Sequence, residues 1–290
     1  MQQQPGPAAK PHSFCDFRAV LVATVTNVMV RPKSEFFMIW SDPDPGQTPI
    51  KVPVRDAKTC LADIARRFET RQGFSIATIN LDHVVKLRRD PAFRAAYAAQ
   101  THVTADGNPI VWLSRLAGQD VSLVPGSELV EPVAALAAEA GVPVAFVGAT
   151  EASLAAASQA LAAGHPGLNV AMIHAPAMGF DPDGADAGEI IEKLGAAGAR
   201  LVYLALGAPK QERFAARAQA HLPETGFLSI GAGLDFVSGA QTRAPAWVQA
   251  IAAEWLWRLA LSPRRLAARY GACLIALPGL TLRALAERRS

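Results

Sequence analysis

From about residue 73 onward, short apolar segments alternate with longer amphipathic ones. Apolar strands that alternate with amphipathic helices are typical of a parallel sheet covered by helices on both faces. The pattern predicts strands at residues 75–79, 101–104, 143–147, 168–173, 200–206 and 226–230. It predicts helices at residues 81–100, 109–116, 128–139, 151–163, 186–197 and 209–221. We therefore expect an α/β domain with a mostly parallel sheet.

Different patterns flank this region. Residues 19–30, 36–40 and 50–54 are predicted as strands, and Asp56 is a suitable cap for a helix at 57–70. Near the other end, 246–260 predicts a helix with a Trp-bearing apolar stripe, and Ser262-Pro263 begins a final helix. The predicted organisation is a disordered start at 1–17, a strand-rich extension at 18–56, the sheet domain at 57–257 and a helical C-terminal appendage at 258–290.

The charge is uneven along the chain. The 290 residues are 51% hydrophobic and 18% charged, which is typical of a globular protein, and the net charge of +3 is too small to indicate a nucleic-acid partner. Residues 258–290, however, hold seven arginines against one glutamate, a local charge of +6. A basic segment on a mildly acidic body favours an anionic partner for that segment.

The cysteines and the apolar runs bear on the compartment. Cys15, Cys60 and Cys273 are far apart and predict neither a disulfide framework nor a zinc site. The first residues lack the pattern of a signal peptide, and the longest apolar runs fall short of the roughly 20 residues that span a bilayer. We expect a reduced, cytoplasmic protein.

Several common nucleotide-binding and catalytic motifs are missing from the sequence. It contains no P-loop and no G-x-S-x-G elbow, and Phe236 takes the place of the third glycine in a G-x-G-x-x-G string. Two D-x-D strings occur, at 42–44 and 181–183. Both lie in segments rich in Pro and Gly, which favours solvated turns over a metal site.

Asp106 is the strongest candidate for catalysis. It follows one predicted strand, while Thr78 and Asn80 lie at the end of another, and ligands bind at the carboxyl ends of parallel strands. A carboxylate there can take a proton from a substrate hydroxyl, and Gly107 lets the backbone approach a ligand closely. We also expect Asn108 to be the N-cap of the next helix, with Pro109 at its first helical position. The alternative for Asp106-Gly107 is that it is only a turn.

A second candidate site follows the strand at 200–206. Gly207 permits a tight turn, Pro209 can start a helix, and Lys210 adds positive charge to amides that favour anions. Gln211 can donate to and accept from a uracil edge, a sugar or a phosphate. The alternative is a solvated helical turn in which Glu212 complements the helix dipole.

Arg243 and the apolar stripe of the predicted helix at 246–260 can each contact a ligand or have a purely structural role. Arg243 can hold a phosphate with two hydrogen bonds or form a structural ion pair. The spacing of Trp247, Ile251 and Trp255 favours core packing over ligand stacking.

Six short motifs occur together in one order, at residues 78–80 (T-x-N), 105–107 (A-D-G), 126–129 (G-S-E-L), 207–212 (G-A-P-K-Q-E), 243–245 (R-A-P) and 254–259 (E-W-L-W-R-L). In these motifs the chain resembles the WecG/TagA/CpsF family of bacterial glycosyltransferases (glycosyltransferase family 26) over about residues 50–270. The resemblance implies a Rossmann-like domain and an appendage that completes the site. It also implies a metal-independent, inverting transfer from a UDP-sugar to a polyprenyl-diphosphate-linked sugar, without a cofactor.

The resemblance assigns roles to individual residues. It implies that Asp106 is the base, that Thr78 and Asn80 line its pocket, and that Gln211 lies in the nucleotide-sugar site. It implies further that basic appendage positions face the donor diphosphate, at Arg258, Arg264 or Arg269. The chain departs from the family after residue 147, where an extra glycine is missing and Glu151 places an acid near the phosphate path.

We therefore expect a hexosyltransferase of cell-envelope or exopolysaccharide biosynthesis, with N-acetylmannosamine, its uronic acid or glucose as the donor sugar. The basic appendage beside an apolar segment predicts peripheral attachment to the anionic inner face of the plasma membrane. Packing of that segment on its own domain or on a second copy in a homo-oligomer is the alternative. The rival functions are a nicotinamide-dependent sugar dehydrogenase and a catalytically silent membrane-associated scaffold.

Overall fold

The computed structural model describes residues 37–38, 41, 50–52, 54–239, 244–245, 248 and 254–289. They all belong to one compact unit, Glu35–Ser290. The predicted strand at 19–30, the first D-x-D string at 42–44, Arg243, Trp247 and Ile251 lie outside the described residues.

Six strands of the described chain form one parallel sheet in the order β4-β3-β8-β7-β5-β6. They are β3 (Phe74–Ile79), β4 (His102–Ala105), β5 (Val144–Gly148), β6 (Val170–His174), β7 (Leu201–Ala205) and β8 (Gly226–Ser229). A separate antiparallel pair consists of β1 (Phe37–Met38) and β2 (Ile50–Lys51). The sequence prediction of a parallel α/β sheet is confirmed, and the six strands of the sheet are all parallel.

The helices among the described residues follow the predicted alternation. They are α1 (Ala57–Glu69), α2 (Leu81–Leu87), α3 (Pro91–Ala98), α4 (Asn108–Leu116), α5 (Gly126–Glu139), α6 (Glu151–Gly164), α7 (Ala185–Ala196), α8 (Lys210–His221), α9 (Gly233–Val237), α10 (Glu254–Leu261) and α11 (Pro263–Glu287). Asp56 caps α1, as expected, by accepting from Thr59 N at 2.7 Å.

Two local predictions were wrong. The single helix expected at 81–100 is two helices, because Pro91 disfavours helical geometry in Asp90, whose side chain instead caps α3 by accepting from Phe93 N. The N-cap of α4 is Gly107 and not Asn108, which already lies in the first turn.

Helices cover both faces of the sheet. In β7, the side chains of Val202 and Leu204 belong to an apolar cluster with residues of α7 and α8. Tyr203 lies between them and therefore points to the opposite face, where its hydroxyl donates to Val130 O of α5 at 2.9 Å. Strands β3, β4, β5 and β8 are buried along their whole length, as expected for strands covered on both sides.

The last helix shares this core. Leu280 and Ala284 of α11 are fully buried in an apolar cluster that also contains Ile79 of β3 and Ile110 of α4. Pro278 lies inside the helix, which spans 25 residues. Within the described part of the chain, no helix has both the length and the apolar character needed to cross a bilayer.

The topology brings several loops to one edge of the sheet. From β5 the chain continues to β6 on one side, whereas from the adjacent β7 it continues to β8 on the other. Ligands of open α/β sheets bind where neighbouring connections diverge in this way, at the carboxyl ends of the strands. The loops after β3, β4, β5, β7 and β8 all emerge at this edge.

Candidate active site

Asp106 lies directly after β4, at the carboxyl edge of the sheet. Its backbone N–H donates to Ile79 O at 2.8 Å, which holds it beside the end of β3. The register pairs Thr78 with Thr104 and Ile79 with Ala105, so that the two strands end side by side. Gly107 follows with a φ of 103°, a conformation that favours glycine, and turns the chain into α4.

Thr78 and Asn80 both lie beside Asp106. Thr78 is buried, and its hydroxyl lies 3.5 Å from Asp106 Oδ2. Asn80 caps α2 because its Oδ1 accepts from His83 N at 3.0 Å. Because an ionised carboxylate only accepts hydrogen bonds, the amide nitrogen is the group through which Asn80 lowers the pKa of Asp106. The three residues that the sequence singled out therefore meet.

The environment of Asp106 shifts its acidity. Burial raises the pKa of Asp106 to about 6, and the charge of Glu254 acts in the same direction. Arg258 opposes this shift, as do the hydrogen bonds from Thr78 and Asn80. A carboxyl group with a pKa near 6 is ionised at neutral pH yet basic enough to accept a proton during a reaction.

Arg258 brings the C-terminal part of the chain to this site. Its guanidinium donates twice to Glu254 Oε1, at 3.2 and 2.8 Å, and lies 5.4 Å from the centre of the Phe236 ring. Both charged residues belong to α10, which contains no buried residue. Trp255 of α10 is 40% exposed and meets the Tyr270 ring edge-on, so it is not the core residue that its spacing predicted.

A buried pair that the sequence analysis missed supports the end of β3. The Tyr97 hydroxyl donates to Thr78 O at 3.1 Å, and its oxygen lies 2.6 Å from His83 Nδ1. Because the hydroxyl hydrogen is directed to Thr78, His83 Nδ1 must be the donor of the second bond. Burial lowers the pKa of His83 to about 3, which keeps the ring neutral. Nothing in the sequence linked Tyr97 to Thr78, which lies 19 positions before it.

The second candidate group surrounds the start of α8. Gly207 follows β7, Pro209 is the N-cap of α8, and Lys210 is partly exposed in its first turn. Gln211 and Glu212 are buried, at 3% and 0% exposure. They point into the protein, so the solvated first turn that was the alternative is wrong for these two side chains.

The remaining predicted arginines lie in different surroundings. Arg269 Nε lies 3.0 Å from Asp82 Oδ2, and Lys86 Nζ lies 2.8 Å from the same oxygen. Lys86 Nζ also donates to Ala208 O at 3.5 Å, which links α2 to the loop before α8. Arg264 is exposed in the first turn of α11. Asp82 was not singled out from the sequence, although it joins α2 to α11.

The D-x-D string at 181–183 forms a turn. Asp181 Oδ1 accepts from Asp183 N at 3.0 Å, and the Asp183 carboxylate pairs with Arg213 of α8. Among the described residues, no three side chains of His, Cys, Asp or Glu lie together as a metal-binding group.

The sequence also matches a known family. The model of the family described as "Glycosyl transferase WecG/TagA/CpsF family" matches residues 48–290. The match covers the sheet, both candidate groups and the whole C-terminal helical segment.

Proposed function

The chain belongs to the WecG/TagA/CpsF family of glycosyl transferases of cell-surface polysaccharide synthesis, and on this premise we propose a specific reaction. The enzyme transfers a hexose-type sugar (N-acetylmannosamine, its uronic acid or glucose) from a UDP-sugar to a polyprenyl-diphosphate-linked saccharide, with inversion at the anomeric carbon. The observation that carries the proposal is the Asp106 carboxyl, held at the carboxyl edge of the sheet with a pKa of about 6.

Inversion requires a single in-line displacement. As the acceptor hydroxyl oxygen forms its bond to the anomeric carbon, Asp106 takes the hydroxyl proton. The bond between that carbon and the UDP oxygen breaks, and UDP leaves with the electron pair. Thr78 and Asn80 orient the Asp106 carboxylate for this step, as their hydrogen bonds to it support.

The departing diphosphate accumulates negative charge. We assign its stabilisation to cationic side chains, namely Lys210 at the start of α8 and Arg258 of α10. Positive groups that are already in place stabilise developing charge without further rearrangement. We extend the same role to Arg264 and Arg243, one in the first turn of α11 and the other in the segment that precedes α10.

The test is a donor screen against a short-chain polyprenyl-diphosphate-GlcNAc analogue, read by mass spectrometry with and without EDTA. We expect a single glycosylated product whose mass identifies the donor, and a rate that EDTA does not change. Binding of UDP by calorimetry in EDTA provides the matching equilibrium measurement. A chain that transfers no sugar and binds no UDP would contradict the proposed function.

We propose further that α11 attaches the enzyme to an anionic membrane surface. Three apolar side chains of this helix are largely exposed: Leu274 (56%), Ile275 (84%) and Leu282 (70%). Arg264 and Arg283 lie on the same helix and can attract anionic lipid.

The membrane proposal needs point substitutions, because deletion of α11 would also expose the core around Leu280. Ile275→Asp combined with Leu282→Asp should abolish flotation with liposomes that contain phosphatidylglycerol. Met178→Asp is the matched control, since Met178 is fully exposed in the loop between β6 and α7. Unchanged flotation of the double variant would contradict attachment through α11.

A further inference from the structure

Gln211 connects two loops at the carboxyl edge of the sheet. Its Oε1 accepts from Gly207 N at 3.2 Å and from Gly231 N at 3.1 Å. Gly207 follows β7 and Gly231 follows β8, and these strands are neighbours in the centre of the sheet. One buried side-chain oxygen thus satisfies a backbone donor from each of two adjacent loops.

Glu212 holds the other end of the Gln211 amide. Gln211 Nε2 donates to Glu212 Oε1 at 2.9 Å, and the Glu212 side chain is fully buried. Since the Gln211 oxygen must face the two N–H groups, its nitrogen must face an acceptor, and Glu212 supplies one. Glu212 O in turn accepts from Gln100 Nε2 at 3.2 Å, which ties this turn of α8 to the end of α3.

We propose that Gln211 and Glu212 form a clamp that sets the spacing of the loops after β7 and β8, and that Gln211 positions these loops instead of contacting the nucleotide sugar. The inference rests on the proposed function, because these loops belong to the site assigned to the donor. Gln211 is a positioning residue in this account, and Glu212 fixes the orientation of its amide.

The burial and bonding of the pair support a positioning role. The Gln211 oxygen has two lone pairs, and both are used by backbone donors. One of its two amide hydrogens is used by Glu212, and the side chain is only 3% exposed. Burial raises the pKa of Glu212 to about 7, but Oε1 remains an acceptor in either protonation state, with the proton on Oε2 in the neutral form.

A swap of the two side chains separates positioning from direct contact. Gln211→Leu removes the acceptor and leaves both glycine N–H groups without it. The double variant Q211E/E212Q keeps an oxygen at position 211 for the two N–H groups and reverses the bond between the side chains, so that residue 212 donates. The chemical groups of residue 211 change in the swap, whereas the clamp is retained.

Two readouts are needed. The first is the exchange rate of the Gly207 and Gly231 amide hydrogens, measured by NMR on protein labelled at glycine. Gly226 N is the internal reference, because it donates to Arg200 O at the start of β8 and not to the clamp. The second is the Kd of UDP by calorimetry.

For Gln211→Leu we expect exchange at Gly207 and Gly231 to be faster by about tenfold or more, with Gly226 unchanged, and the Kd of UDP to rise by about tenfold. For the swap we expect both quantities to return to within about threefold of wild type.

Unchanged exchange in Gln211→Leu would overturn the clamp. A swap that restores slow exchange but not UDP affinity would show that the Gln211 amide contacts the nucleotide, and would overturn the positioning role. Wild-type protein that binds no UDP would overturn the proposed function, and the exchange rates would still decide whether the clamp exists.

Discussion

The two ends of strand β4 each place a carboxylate in a different setting. At its first residue, His102 Nε2 lies 2.8 Å from Asp63 Oδ2, and Arg67 Nε lies 2.6 Å from the same oxygen. The hydrogen bond from His102 leads a set of partners that hold the pKa of Asp63 well below its usual range, against the effect of burial. Just past its last residue, burial dominates over the partners of Asp106 and raises the pKa to about 6.

The difference shows how a protein gives one residue type two opposite electrostatic environments. Asp63 is surrounded by donors and cations, so its charge is favourable and contributes to stability. The cost of burying the charge of Asp106 is offset less fully. Its partners are a hydroxyl at 3.5 Å, an amide and an arginine that is itself bonded to Glu254. Its charge is retained at a cost to stability, which is the condition that the proposed role as a base requires.

The largest expected effect is the loss of catalysis in Asp106→Asn. Without a base, kcat should fall by about 10²–10⁴-fold, while the circular dichroism spectrum stays unchanged. Asp186→Asn is the matched control, because Asp186 is exposed in the first turn of α7. Turnover of Asp106→Asn near the wild-type rate would contradict a catalytic role for the carboxylate after β4, in contrast to the stabilising role of Asp63 at its start.

The next effect is in the pH profile of kcat/KM. The rate should rise with pH through an apparent pKa near 6, because Asp106 must be ionised to accept a proton. Arg258→Gln should move this limb to higher pH, since Arg258 lowers the pKa of Asp106. A limb that stays in place in Arg258→Gln would show that another group sets the profile.

Asp63→Asn should have the opposite consequences to Asp106→Asn: it should lower the free energy of unfolding and leave kcat unchanged. Loss of charged hydrogen bonds to His102 and Arg67 should lower the free energy of unfolding by about 1–3 kcal/mol at pH 7. Because the folded-state pKa of Asp63 is depressed, this contribution is present above the unfolded-state pKa of about 3.9 and is lost as the pH falls below it.

Urea unfolding of Asp63→Asn at pH 7 and at pH 3 measures both parts of this prediction. Glu189→Gln, which removes a surface pair with Lys193 at 3.9 Å, is the control and should change stability by less than about 0.5 kcal/mol. Equal stability of Asp63→Asn and wild type at pH 7 would contradict a stabilising role of the Asp63 cluster.

The smallest expected effect is a gain in thermal stability in Asp106→Asn, opposite in sign to the loss expected for Asp63→Asn. The folded-state pKa of Asp106 is raised, so the folded protein binds more protons than the unfolded chain between about pH 4 and 6, and stability falls as the pH rises through that range. Asp106→Asn should therefore melt a few degrees higher than wild type at pH 8 and at the same temperature at pH 4. A lower melting temperature at pH 8 would show that the charge of Asp106 stabilises the fold.

The sequence predicted the part of the candidate site that depends only on the direction of the parallel strands. Thr78, Asn80 and Asp106 end two neighbouring segments of a parallel sheet, and their convergence requires only that β3 and β4 lie side by side. The contacts of Tyr97 with Thr78 and of Asp82 with Arg269 were missed, because each joins helices or strands whose relative placement depends on packing. The orientation of Gln211 toward Gly207 and Gly231 was missed for the same reason, although its motif was recognised.

The dependence of the proposed reaction centre on α10 has a consequence for biosynthesis. Arg258 and Glu254, whose charges act on the pKa of Asp106, follow the entire sheet in the sequence, and α11 must then pack against α2 to bring Arg269 to Asp82. Domains generally fold as units, and during synthesis the N-terminal part of a chain is available first. Because α11 also supplies Leu280 and Ala284 to the core around β3, the nascent chain can complete both this core and the proposed reaction centre only after α10 and α11 have been synthesised.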